Sequence, residues 1–90
     1  MIKVHFYHYG YGTLDIEKEL GITEEAEDFF IEKIPELELE GTECASDLDD
    51  NLILWFSADD EVKCMQQIPD LIKTHISGQS QMEYTVTITS

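Results

Sequence analysis

Ninety residues with 42% hydrophobic and 10% aromatic content suffice for one domain with one core and exclude a disordered chain. Twenty acidic residues against five lysines and no arginine give a net charge of −15, which excludes direct binding to DNA, RNA or an anionic membrane. The longest apolar run is Leu52 to Phe56, so neither a membrane span nor a secretory leader is expected. Cys44 and Cys64 stand twenty residues apart without a C-x-x-C pattern and are expected as free, buried thiols of a cytoplasmic protein.

The elements follow from periodicity. Ile2, Val4 and Phe6 alternate with Lys3, His5, Tyr7 and Tyr9, which predicts a half-buried strand ending at Gly10-Tyr11-Gly12. Thr13 to Leu20 suits either a returning strand or, by the spacing of Ile16 and Leu20 before Gly21, a helical turn; the helix is preferred. Ile22, Ala26, Phe29, Phe30 and Ile34 recur at helical spacing, with Thr23 as N-cap, Glu24 and Glu25 in the first turn and Pro35 as the stop. Glu36-Leu37-Glu38-Leu39-Glu40 alternates strictly and predicts a strand with one carboxylate face. After a turn at Ser46–Asn51, Leu52 to Phe56 is expected as a buried strand. Ser57 is the expected N-cap of a helix faced by Val62, Met65, Ile68, Leu71, Ile72 and Ile76, kinked or restarted at Pro69 and ending at Gly78. Met82, Tyr84, Val86 and Ile88 mark a last strand.

This order, strand-helix-strand-strand-helix-strand, predicts a single α+β domain over residues 1–90. Its simplest closed form is a ferredoxin-like βαββαβ sandwich, an antiparallel four-stranded sheet with two helices on one face. A five-stranded variant replaces it if Thr13 to Leu20 is a strand.

Reaction chemistry finds little footing. Gly10-x-Gly12 opens a G-x-G-x-x-G pattern, but the third glycine position is Asp15, and Asp15 and Glu17 repel phosphate. Asp47-x-Asp49-x-Asn51 copies the start of an EF-hand loop, yet Leu52 and Ala58 stand where Gly and Glu are required. His5 and His8 fall on opposite faces of a strand and cannot share a metal, and His75 adds no motif. No catalytic residue, metal or cofactor is implied, and the chain reads as a non-enzyme.

Two surfaces remain. His5, Tyr7 and Tyr9 on the open sheet face, beside Glu83, Thr85 and Thr87, suit a dimer contact, because tyrosine brings area and a polar tip. The second surface is acidic. Between Asp15 and Glu61 lie eighteen carboxylates and only Lys18 and Lys33, a balance of −16; outside it Asp70 and Glu83 face Lys3, Lys63 and Lys73, a balance of +1. Glu24, Glu25, Asp28 and Glu32 line the first helix, Glu36, Glu38 and Glu40 the second strand, and Asp47, Asp49, Asp50, Asp59 and Asp60 the turn and second helix start. Solubility in a small domain needs a net charge of only about 2–8.

In length, charge and compact α+β character the chain resembles the small acidic inhibitors of phages and bacteria: anti-CRISPR and anti-restriction proteins, DNA mimics, and nuclease immunity proteins or antitoxins. The resemblance implies an inhibitor whose acidic half docks on the basic nucleic-acid-binding surface of a target protein, in the host cytoplasm if phage-encoded. The alternative expectation is a small homodimeric ligand-binding or regulatory module joined through the aromatic sheet face.

Overall fold

The structure, a computed structural model, describes residues 1–7, 20–44, 52–75 and 83–89. It is α+β: strands β1 (Ile2–Tyr7), β2 (Glu38–Cys44), β3 (Leu52–Ser57) and β4 (Glu83–Ile88), and helices α1 (Ala26–Lys33) and α2 (Glu61–His75). The strands form one antiparallel sheet in the order β2-β3-β1-β4. The two central strands show why the sheet has one buried face. Ile2, Val4 and Phe6 of β1 and Leu52, Leu54 and Phe56 of β3 are buried, while Lys3, His5, Tyr7, Ile53, Trp55 and Ser57 between them are half-buried on the other face.

The helices close the buried face. Ala26, Phe29 and Phe30 of α1 and Cys64, Ile68 and Ile72 of α2 join those strand residues, with Leu20, Ile34 and Leu37, in one core. Phe30 is its aromatic centre, with ring centroids 6.2 Å from Phe6, 6.1 Å from Phe56 and 5.5 Å from Phe29. Phe29 in turn meets His75 edge-on at 5.0 Å, so the last turn of α2 leans on α1.

Several expected boundaries move. α1 begins at Ala26 with Glu25 as N-cap, in extended backbone and without a side-chain cap bond, rather than at Thr23. Thr23 has Ala26 three residues on, so it lacks the acidic partner of a capping box, and burial of Ala26 and Phe29 sets the first turn instead. Ser57 does not cap α2. It ends β3 opposite Glu38, and its hydroxyl donates to Glu40 Oε1 at 3.2 Å. Asp60 takes the cap, its Oδ1 accepting the Lys63 N–H at 3.1 Å.

α2 runs as a single helix through Pro69, with no restart. Pro69 withholds one N–H from the ladder, but Cys64, Ile68 and Ile72 pin the helix on both sides of it. β2 starts at Glu38, two residues later than expected, and its register with β3 slips between Leu39 and Gly41, leaving Glu40 as an extra residue. β3 is not fully buried: its second face carries Ile53 and Trp55. The glycine turn at 10–12, most of the Thr13–Leu20 segment, the 46–51 turn and the Gly78 terminus lie outside the described residues. Leu20 is buried, and Gly21 follows it with a φ of 68°, the left-handed conformation expected of a glycine that closes a turn.

Candidate functional site

Chain order places the acids. β2 is an edge strand, and α1, which precedes it through residues 34–37, packs against it. Pro35 ends α1 because the residue before it, Ile34, is held out of the helical region at φ −129° and ψ 82°, with its N–H closing the last turn on the Phe30 carbonyl at 2.8 Å. The stretch from Glu24 to Glu43 thus makes up the first helix and the edge strand beside it. That segment holds nine carboxylates and one cation, Lys33.

On α1, Glu25, Asp28 and Glu32 are exposed at spacings that set them on one helical stripe, and Glu24 is half-buried just before it. Glu27, not among the expected site residues, is half-buried; burial, then its neighbour Glu25, raise its carboxyl above the usual range. On the strand side, Glu36, Glu38 and Glu40 do not form the single row that strict alternation predicts. Glu36 lies before β2 and turns to α2, where its Oε1 pairs with Lys63 Nζ at 3.2 Å and its Oε2 accepts a long 3.7 Å contact from Cys64 Sγ. The bulge at Glu40 then breaks the alternation.

The outcome is a cluster rather than a row. Glu36, Glu38 and Asp59 line one open depression of about 290 Å³ with Pro35, Ser57 and Ala58. Ser57 links Glu40 to its rim. Asp60 is beside it but engaged as the α2 cap. Glu43, a further exposed acid of β2, stands opposite Ile53 on the open face. Asp47, Asp49 and Asp50 lie outside the described residues.

The open sheet face also carries part of what was expected there. Tyr7 is opposite Glu83, His5 opposite Thr85 and Lys3 opposite Thr87. His5 and Tyr7 stack on one another at 4.1 Å, and Lys3 Nζ sits 5.5 Å from the Trp55 ring centroid. Tyr9 is not among the described residues. Trp55 and Ile53 were hidden in the sequence because β3 is apolar at five consecutive positions, which leaves no period to read.

Chemically the acidic side offers exposed carboxylates, of which Glu36 pairs with Lys63 and Glu40 accepts from Ser57, suited to lysine and arginine side chains or to water. Among the described residues no three His, Cys, Asp or Glu side chains stand together as metal ligands. Burial, then the charge of Glu36, push the Cys64 thiol up, away from a nucleophilic thiolate. Among the described residues no helix is long and apolar enough to cross a membrane. No known protein family, no curated protein and no solved structure matches this chain.

Proposed function

We propose that this chain is a non-enzymatic acidic inhibitor. Its α1–β2 side docks on the basic nucleic-acid-binding surface of a target protein, as phage anti-defence proteins such as anti-CRISPR proteins and DNA mimics do, or as nuclease immunity proteins do. The observation that carries this reading is the acidic α1–β2 segment at one edge of the fold, with nine carboxylates from Glu24 to Glu43 against Lys33 within the segment and Lys63 of α2 on Glu36. Opposing fields of this kind speed association and make it salt-sensitive. The sheet order β2-β3-β1-β4, with every neighbouring pair antiparallel, supports a ferredoxin-like scaffold for that surface.

A homodimeric module joined through His5 and Tyr7 draws less support, because those rings are engaged with each other. The test of the inhibitor reading uses charge reversal on exposed positions that hold no core contact. E25K/D28K/E32K on α1 and E38K/E40K on β2 are expected to abolish capture of a nucleic-acid-binding protein while far-UV circular dichroism is unchanged. Undiminished capture by both variants would place the contact elsewhere and sink the reading.

A further inference from the structure

The two edges of the sheet are built differently. β2 is blunted by the bulge at Glu40 and by the exposed carboxylates of Glu38, Glu40 and Glu43, the usual defences against pairing with another chain. β4 has none of them. Its register with β1 is unbroken over Glu83–Ile88, it contains no proline or glycine, and its one charge is its first residue. Thr85, Thr87 and Ile88 are exposed along it.

The backbone of β4 can be assigned donor by donor. The Met1 nitrogen donates to the Thr89 carbonyl at 2.9 Å and the Thr89 N–H donates to the Met1 carbonyl at 2.8 Å. Residues 1 and 89 are therefore a hydrogen-bonded pair. Alternation along an antiparallel ladder makes Lys3–Thr87, His5–Thr85 and Tyr7–Glu83 hydrogen-bonded pairs as well. Tyr84, Val86 and Ile88 must then turn their N–H and C=O groups outward, where no described strand lies.

We propose that this edge joins two copies of the chain, β4 to β4 and antiparallel, into a continuous eight-stranded sheet. Charge gives a basic partner no reason to choose this edge, and the unbroken register of β4 is self-complementary for a second copy. The helix packed on β4 is α2, where Lys63 and Lys73 balance Glu61 and Asp70, whereas a basic protein is drawn to the α1–β2 side. Two copies meeting at β4 hold their acidic sides at opposite ends. A two-fold axis at Val86 keeps like faces together. It sets Thr85 opposite Thr87 of the second copy, Tyr84 opposite Ile88, and Glu83 opposite Thr89, so the two Glu83 carboxylates do not meet.

The test is molar mass by light scattering over a concentration series up to the sub-millimolar range. The expected result is a rise from 10.4 kDa to twice that value, favoured by added salt because salt screens the repulsion between copies. Val86→Pro removes an outward N–H, together with a half-buried side chain packed on the core, and should give a folded monomer. Should that variant lose its circular dichroism, T85K/T87K sets like charges across the axis on exposed positions and is expected to be monomeric. Mass fixed at 10.4 kDa at every concentration overturns the proposal, as does a dimer that persists in either folded variant. A dimer lost only in Tyr7→Ala moves the contact to the open sheet face and also overturns it. Because salt strengthens this contact and weakens capture of a basic protein, the two proposals fail separately.

Discussion

Cys64 sits fully buried in the core, with the Glu36 carboxylate beside its sulfur. Burial first, and that negative charge second, hold it as a thiol. Iodoacetamide is therefore expected to leave Cys64 unlabelled in the native protein and to modify it once denaturant opens the core, as peptide mass spectrometry can read. The same shift has a stability consequence. A raised folded pKa means that the native state holds its proton more tightly, so the contribution is full below the ordinary thiol range and fades as pH climbs through the raised value. Tyr84 has the same sign, from burial and then Asp70. The melting temperature is expected to fall as pH is raised into the thiol and phenol range, and an unchanged or rising value there would refute this. Two further positions are decided by backbone. Gly21, at φ 68° with open space where a Cβ would go, should lose about 1–2 kcal/mol on replacement by alanine, for conformational reasons alone. Asp60→Ala should cost about 1 kcal/mol through the lost cap, whereas Thr23→Ala should cost far less.

At the scale of elements, Phe30 ties α1 to both central strands through Phe6 and Phe56. Phe30→Ala should destabilise the fold by about 3–5 kcal/mol in denaturant titrations. This packing was legible in the sequence because Phe29 and Phe30 recur with Ala26 and Ile34 at helical spacing, and because β1 alternates without exception. The order and type of the six elements followed from the same periodicities. What stayed illegible has physical causes. β3 is apolar at five successive positions, so periodicity cannot tell its two faces apart or separate Trp55 and Ile53 from the core. The Glu36–Glu40 alternation predicts a uniform strand because a bulge is a register event between two strands, and only β3 reveals it. Glu36 left the expected row because Lys63, twenty-seven residues away, pairs with it. Ser57 and Asp60 are comparable caps on composition, and the strand's length decided between them.

For the whole molecule the dominant quantity is charge polarity. The sequence showed a contiguous acidic stretch, but only the order β2-β3-β1-β4, with α1 against β2, turns a stretch of chain into a side of the protein. A net charge of −15 repels itself in the folded state, so added salt should raise the melting temperature. Glu27 adds a local reason for stabilisation on mild acidification. Its carboxyl is raised by burial and by Glu25, so its contribution is present below the usual carboxylate range and is lost as pH rises through the raised value. The most direct test of the acidic side is a paired capture from a lysate of the native host. Wild type and the five-fold variant E25K/D28K/E32K/E38K/E40K are compared under a salt-step elution read by mass spectrometry, followed by a nucleic-acid-binding assay of what wild type retains. The inhibitor account predicts a nucleic-acid-binding protein that elutes with salt, is absent from the variant and releases its nucleic acid when the wild-type chain is added. Recovery of the same proteins by both chains, or of none that binds nucleic acid, would contradict it.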